Sequence, residues 1–209
     1  MLLHYLFILG VCVEAITGAI AAGRKRMDFF GVIMIAAITG LGGGTVRDTL
    51  FNSHPLLWIA HPEFLVYTTV CAIFTIIFTF YLVRIMKLFL ILDALGLATF
   101  AIVGTQKMLN IGMTPSMAVI GGTITGICGG MIRDILCNDV PLVLRKELYA
   151  VIALAGGFLY VGLGHLHVPQ HLNVVICLVS IFAVRVIAIF FHIEIPKFDY
   201  AKSLCKRRN

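Results

Sequence analysis

Two arginine–aspartate pairs lie inside or just beyond hydrophobic runs of the sequence. Arg47 and Asp48 belong to the stretch TGLGGGTVRDTLFNSHP (39–55), and Arg133 and Asp134 belong to TGICGGMIRDILCNDVP (125–141). At an offset of 86 residues the stretches share Thr-Gly-x-x-Gly-Gly-x-x-Arg-Asp-x-Leu-x-Asn-x-x-Pro. Ionisable side chains within hydrocarbon are costly and usually mark a transport path, a proton relay or a buried ion pair. Both pairs are therefore candidate polar groups of a pathway.

Three further ionisable residues fall within apolar runs, namely Glu14, Asp93 and Arg185. No charge sign dominates among these groups, which suits a narrow aqueous pathway better than a site for a highly charged metabolite. Thr39 and Thr125 would add hydroxyl ligands, although threonine in such helices more often bonds its own backbone. The predicted pore-lining or polar-pairing residues are Arg47, Asp48, Arg133, Asp134, Glu14, Asp93, Arg185, Thr39 and Thr125.

Glycines precede each arginine with helical spacing. Gly40, Gly43, Gly44 and Arg47 fall at i, i+3, i+4 and i+7, on one face of a helix, and the second copy repeats this. Small residues allow close helix packing in lipid, whereas a bend or unwound turn would expose carbonyl oxygens to a water-filled path. We favour the bend, because the glycine run exceeds what packing needs. The predicted kink positions are Gly42, Gly43, Gly44, Gly126, Gly129 and Gly130.

The partners of the two arginines remain open at the sequence level. Neighbours at i and i+1 do not face each other on a helix, so we expect each arginine to pair elsewhere than with the aspartate that follows it. Crossed pairing of Arg47 with Asp134 and of Arg133 with Asp48 is one possibility. Pairing with Glu14, Asp93 or exposed carbonyls is another, and extension of each side chain to the nearest membrane interface is a third.

The elements that must position these residues are membrane-spanning helices. The 209-residue chain is 60% hydrophobic and only 12% charged, with a mean hydropathy of +1.03, whereas soluble domains carry roughly 25% charged residues. A spanning helix needs roughly 20 apolar residues. Seven segments qualify: about 3–23, 29–51, 64–83, 88–107, 114–137, 147–165 and 172–193. The predicted fold is an all-α integral membrane bundle.

Lysine and arginine placement predicts the orientation in the bilayer. In a seven-span topology, 12 of these residues fall in loops and the tail on one side, and only Lys107 falls on the other. The positive-inside rule then places the N-terminus outside and the C-terminus in the cytoplasm of a bacterial-type inner membrane. The net charge of +6 thus faces the lipid surface, so no nucleic-acid partner is expected.

The duplicated motif predicts an internal inverted repeat. The matching stretches lie in the second and fifth spans, Glu14 and Asp93 lie in the first and fourth, and Glu63 and Glu147 open the third and sixth. The predicted units are a three-helix repeat at 1–86, a second at 87–167, and a seventh helix with a basic tail at 168–209. Because three is odd, the second unit enters the membrane upside down, an arrangement typical of transport proteins.

Other chemistries find little support in the sequence. The six cysteines are scattered in mostly apolar runs, without CxxC spacing. No HExxH, GxSxG or phosphate-loop motif is present, so an enzyme is not expected. Histidines on the side opposite the basic loops are most simply interfacial residues, and neither a resident metal nor a cofactor is expected.

The duplicated Gly-Gly-x-x-Arg-Asp helices within two three-helix repeats resemble the trimeric intracellular cation channel family, whose prokaryotic members also carry a glycine-transporter label. The resemblance covers almost the whole chain. It implies a homotrimer in the lipid bilayer, a pore for monovalent cations, chiefly K⁺, in each protomer, and glycine-rich kinks that shape this pore. The second copy has Cys128 where the first has Gly42, a departure from the full glycine triplet.

These observations predict a passive K⁺ channel. Two alternatives remain open. A secondary transporter of a small neutral solute such as glycine would use the same inverted repeats, with Glu14 as its best coupling group. A purely structural membrane protein would need the glycines only for packing.

Overall fold

The computed structural model describes residues 1–78, 86–145 and 148–191. Its elements are the helices α1 (Leu2–Arg24), α2 (Phe29–Leu50), α3 (Leu57–Ala60), α4 (Glu63–Ile77), α5 (Met86–Asn110), α6 (Pro115–Leu136), α7 (Leu142–Arg145), α8 (Leu148–His165) and α9 (Gln170–Phe190). Six of these helices are long and apolar enough to span a membrane, and α4 is a shorter apolar helix. The predicted all-helical membrane fold with seven apolar helices is confirmed.

Two details differ from the sequence-based expectation or lie beyond it. The short helices α3 and α7, each of four residues, were not expected, and each follows the proline that ends a copy of the motif. The third span was expected at 64–83, and its last residues, 79–83, lie outside the described residues. Glu147, Arg84, Lys146 and the basic tail from 192 onward lie outside them too.

Helix α5 occupies the centre of the bundle. It packs against α1, α6, α8 and α9, and Leu97, Ala98, Ala101 and Ile102 on this helix are fully buried. Their side chains join Ile152, Ala153 and Cys177 and other apolar residues of α8 and α9 in one core cluster. By contrast α4 and α9 each present many exposed large apolar side chains, as expected of helices that face lipid or another protomer.

The repeat of 86 residues is visible in the backbone where the helices end. Arg26 after α1 and Gly112 after α5 both adopt the left-handed conformation, with φ of 57° and 83°, and Asn52 after α2 and Asn138 after α6 do so with φ of 50° and 54°. With this conformation at the end of a helix, the amide N–H of the following residue can donate to a carbonyl oxygen of the last helical turn. The amide of Ser53 bonds Asp48 O and that of Asp139 bonds Asp134 O, both at 2.8 Å.

Helices α2 and α6 cross at their glycines. A methyl group on Gly43 would collide with the carbonyl oxygen of Thr125, and one on Gly129 would collide with that of Thr39. These reciprocal contacts run in opposite chain directions, so the two helices are antiparallel. Arg47 and Arg133 therefore lie on opposite sides of the crossing, each about 9 Å beyond it at 1.5 Å per residue.

Candidate functional site

Arg133 on α6 is the centre of a buried polar cluster formed with α1 and α5. Its Nε donates to Asp134 Oδ1 at 2.8 Å, and its Nη1 donates to Asp93 Oδ1 at 3.0 Å and to Thr17 Oγ1 at 2.9 Å. Glu14 Oε2 lies 3.7 Å from the same Nη1. We call these five residues, Glu14, Thr17, Asp93, Arg133 and Asp134, the Arg133 cluster.

The Arg133 cluster carries more negative than positive charge. Three carboxylates surround one guanidinium group, and none of the four side chains is more than 9% exposed. Several of its buried polar atoms make no hydrogen bond within the described residues: Glu14 Oε1, Asp93 Oδ2 and Arg133 Nη2. Buried polar atoms without partners are costly, so this cluster is a candidate site rather than a finished structural ion pair.

Glycine provides the space that this cluster needs. The carboxyl group of Glu14 lies so close to Gly96 that a methyl group there would overlap it. A methyl group on Gly130 would only reach ordinary contact, 3.4 Å from Arg133 Nη2 and 3.6 Å from Asp93 Oδ1. The Arg133 guanidinium also lies over the Phe89 ring, 4.8 Å from its centroid.

Arg47 on α2 forms the second cluster, on the far side of the crossing. Its Nε and Nη2 donate to Asp48 Oδ1 at 2.9 and 2.7 Å, and its Nη1 donates to Thr125 Oγ1 at 3.1 Å. Lys107 Nζ binds both oxygens of Asp48, at 2.9 and 2.8 Å. The Arg47 cluster, comprising Arg47, Asp48, Lys107 and Thr125, thus holds two positive charges and one negative charge.

A cavity of about 250 Å³ opens beside the Arg47 cluster. Its polar lining residues are His4, Arg47, His61, Gln106, Lys107 and Asn110, and its apolar lining residues are Leu3, Phe7, Leu57, Phe64 and Val103. Lys107 is 26% exposed, whereas Arg47 and Asp48 are 1% exposed. The cavity therefore reaches the edge of a charged group that is otherwise buried.

The expected pairing of the arginines was partly wrong. Each arginine binds the aspartate that follows it, because the long side chain turns back along the last helical turn and its guanidinium reaches a carboxylate that Cβ positions alone would place out of reach. The crossed pairs do not form: Arg47 and Asp134 lie on opposite sides of the helix crossing. The predicted contacts of Arg133 with Glu14 and Asp93 are present, and neither arginine extends out of the bundle, since their exposures are 1% and 0%.

The glycine motif supports close packing. Both α2 and α6 are α-helical at every residue through the motif, so an unwound turn is not present there. Gly43 and Gly129 make the backbone contacts of the crossing, and Gly126 packs against Leu97, while Gly44 lies beside Arg47. Gly42 is less constrained, since the nearest atom to a methyl there would be Ile132 Cδ1 at 3.5 Å.

The remaining predicted residues have more local roles. Thr39 Oγ1 donates to Ile35 O, as threonine in such helices commonly does, while Thr125 Oγ1 donates to Gly121 O and also accepts from Arg47. Arg185 on α9 lies over the Tyr149 ring, 4.6 Å from its centroid. Its Nε and Nη2 make no hydrogen bond within the described residues.

Sequence reasoning missed Lys107 and Thr17. In the sequence, Lys107 stands out only as the one basic residue on the membrane side opposite the basic loops. A lysine in that position is itself a sign that it has a specific acidic partner. Thr17 lies three residues after Glu14 and so shares its helix face. Within the described residues no group of three His, Cys, Asp or Glu side chains could hold a metal ion.

Seven apolar helices, two inverted units and buried charged clusters define an integral membrane protein of the channel and transporter class. The sequence profile described as "Glycine transporter" matches residues 4–82 and 90–165. The UPF0126 inner membrane protein YadS of Escherichia coli (strain K12) is 38% identical over 200 residues, which cover 95% of this chain and 97% of that protein.

Solved structures agree with the sequence relatives. The trimeric intracellular cation channel (TRIC) orthologue from Rhodobacter sphaeroides matches with a TM-score of 0.89 at 32% identity, over 92% of this chain and 99% of that one. A second structure, described as explaining conductance through TRIC cation channels, matches with a TM-score of 0.85 at 31% identity, over 95% of this chain and 98% of that one. The chain belongs to the TRIC family, as a prokaryotic member.

Proposed function

We propose that the protein is a passive cation channel that conducts K⁺ through each protomer of a homotrimer. The observation that carries this proposal is the pair of buried polar clusters on opposite sides of the α2–α6 crossing, within a fold that matches a cation channel orthologue with a TM-score of 0.89. Burying charged and hydroxyl groups in an apolar bundle is energetically costly, and such groups usually mark the pathway of an ion or substrate.

In the proposed path a cation enters through the cavity beside Arg47, passes the α2–α6 crossing, and leaves past the Arg133 cluster. The close approach of Gly43 to Thr125 and of Gly129 to Thr39 makes the crossing the narrowest part of this route. Conduction therefore requires these helices to separate or bend at the glycines, which is the role we propose for the predicted kink positions.

The proposed setting is a bacterial-type inner membrane, with the N-terminus and the Arg47 cluster toward the outside and the basic loops in the cytoplasm. The residues that support it are Arg24 at the end of α1, Lys25 and Arg26 after it, and Arg145 in α7, all at the end of the bundle that holds Arg133. Single cysteines introduced at Arg26 and at Gly112, after replacement of the six native cysteines, test this orientation when they are labelled with a membrane-impermeant reagent in intact cells. Only the Gly112 position should react.

Single-channel recording of the purified protein in planar bilayers tests the channel itself. Under a KCl gradient we expect discrete current steps that reverse near the K⁺ equilibrium potential. Glycine is the comparison substrate, because the matching family profile is described as a glycine transporter. Electrical silence together with saturable glycine uptake into liposomes would contradict the channel and favour a transporter.

A further inference from the structure

We propose that Glu14 and Asp93 form a buried pair that binds one proton, and that this proton regulates cation conduction. The proton is carried by Glu14. Its effect on current depends on the proposed channel function, whereas proton binding itself does not.

Charge balance around the pair calls for one proton. Glu14 and Asp93 both face the Arg133 guanidinium group, at 3.7 and 3.0 Å, and Arg133 also binds Asp134. Arg185 on α9 lies over the neighbouring Tyr149 ring. Three carboxylates against two guanidinium groups leave a formal net charge of −1, and a single bound proton makes this buried set neutral. An uncompensated charge in such surroundings is usually avoided by a change of protonation.

Among the described residues, Arg133 is the cation that pairs with Glu14 and Asp93, and Arg24 at the end of α1 lies over the same Phe89 ring, 5.5 Å from its centroid. Helix α2 contributes only Arg47 and Asp48, which belong to the other cluster, and α4 carries Glu63 as its one charged residue. Helix α8 contributes Tyr149, which is uncharged and lies under Arg185.

The hydrogen bonds identify the carboxyl that carries the proton. Asp134 is fully engaged, because Oδ1 accepts from Arg133 and Oδ2 accepts from the amide of Leu142 at 2.9 Å. Asp93 accepts a direct bond from Arg133 at 3.0 Å. In the part of the chain that the structure describes, Glu14 accepts no bond from Arg133 or from a backbone amide: its Oε2 lies 3.7 Å from Arg133 Nη1 and contacts the Thr17 hydroxyl at 3.1 Å. Its ionised form is therefore the least stabilised of the three.

Thr17 gives independent support for a protonated Glu14. Its hydroxyl oxygen accepts from Arg133 Nη1 at 2.9 Å and lies 2.8 Å from the Glu14 carbonyl oxygen and 3.1 Å from Glu14 Oε2. A hydroxyl has one proton to donate and two lone pairs to accept with. An ionised Glu14 would have to share the single Thr17 proton between its carbonyl oxygen and Oε2. A protonated Glu14 that donates to Thr17 gives each contact its own proton.

The repeat shows that the fold does not need acids at these places. At an offset of 86 residues Glu14 corresponds to Phe100 and Asp93 corresponds to Phe7. Gly96 makes room for the Glu14 carboxyl group, and its counterpart Gly10 makes room for Phe100 in the same way. An apolar ring fills the equivalent space, so the carboxyl pair is an addition to the architecture.

The direction of the effect on current follows from the charge. Loss of the proton leaves a net charge of −1 in the path, which lowers the energy of a passing cation, so conductance should rise with pH. Glutamine has nearly the shape of a protonated glutamate, is uncharged, and also carries a hydrogen-bond donor. Glu14→Gln should therefore show, at every pH, the low conductance that the wild type shows at acid pH. Asp93→Asn removes the competing carboxylate and should move the conductance transition to lower pH.

Two measurements on the purified full-length protein test the pair. The first is K⁺ conductance across a pH series for the wild type, Glu14→Gln, Asp93→Asn and the control Asp139→Asn, which removes an exposed acid paired with Lys25 at the same end of the bundle. We expect the control to follow the wild type. The second is infrared difference spectroscopy, in which the wild type should show one titrating carboxylic-acid band that Glu14→Gln lacks, in addition to the bands of the other carboxyl groups that both proteins share.

Identical titrating carboxylic bands in the wild type and in Glu14→Gln would overturn the proposal, as would a wild-type conductance transition that this substitution leaves in place. Absence of current in the wild type at every pH would instead contradict the channel function. Even without any current, the infrared titration shows whether Glu14 binds the proton.

Discussion

The Arg47 and Arg133 clusters occupy equivalent places in the two repeats and differ in almost everything except the Arg-Asp pair. In the Arg47 half, Phe7 and Phe100 contact each other with ring centroids 5.8 Å apart, where the Arg133 half has Asp93 and Glu14. Lys107 has Ala21 as its counterpart. With every group ionised, the Arg47 cluster has a formal charge of +1 and borders a cavity. The Arg133 cluster has a formal charge of −2, or −1 with the proposed proton on Glu14, and its charged side chains are at most 9% exposed.

The difference teaches which residues the architecture requires. The Arg-Asp pairs, the crossing glycines and the left-handed residues after the helices recur in both halves, because each half needs the same helix ends and the same close approach. The residues facing the arginines have diverged. An inverted repeat gives a path with two similar mouths, and only such divergence makes its two ends electrostatically distinct.

The largest expected effect separates the two arginines. Arg133→Met leaves three buried carboxylates without their guanidinium group and should destabilise the protein by about 3–5 kcal/mol. Arg47→Met leaves Asp48 still bound to Lys107 and should cost about 1–3 kcal/mol. Denaturant unfolding in detergent measures both. Equal losses would mean that the clusters are energetically alike despite their different charges.

Much of this comparison was accessible from the sequence. Hydropathy located the seven apolar helices because hydrocarbon permits little else, and the repeat of the motif predicted that Arg47 and Arg133 occupy equivalent places. The pairing was not accessible, because it depends on how α1 and α5 are rotated about their axes. A rule based on Cβ spacing also ignores how far a guanidinium group reaches, which is why the Arg47–Asp48 contact was not expected.

The crossing glycines should behave alike in the two halves. Gly43→Ala and Gly129→Ala each place a methyl group against a carbonyl oxygen of the opposite helix, and overpacking of this kind costs about 1–3 kcal/mol. Gly42→Ala is the matched control within the same glycine run, since its nearest neighbour is a side-chain methyl at 3.5 Å. The same unfolding experiment reads all three variants.

The stability and the current of these variants show whether the glycines serve close packing of α2 against α6 or bending during conduction. If Gly43→Ala and Gly129→Ala leave both the stability and the current unchanged, close packing at the crossing is not essential. If stability falls equally for Gly42→Ala, the effect belongs to the helix itself and not to the contact between α2 and α6.

The smallest expected effect concerns the positive charge of the Arg47 cluster. Lys107→Met removes a 26% exposed cation from the cavity and brings the cluster from +1 to neutral. The energy of a passing cation should then fall by about 1 kcal/mol, so K⁺ conductance should rise by less than tenfold. Lys25→Met is the control, since it removes a surface cation from a pair that is 35% and 51% exposed.

Salt dependence identifies the cause of this change. The screening length falls from about 10 Å at 0.1 M salt to about 3 Å at 1 M, so the ratio of Lys107→Met to wild-type conductance should approach one in concentrated KCl. A ratio that stays constant across salt would assign the effect to the geometry of Asp48, which loses its lysine partner, and not to the charge at the cavity. An unchanged conductance at low salt would show that cations do not pass the Arg47 cluster, and the two ends of the proposed path would then not be connected through it.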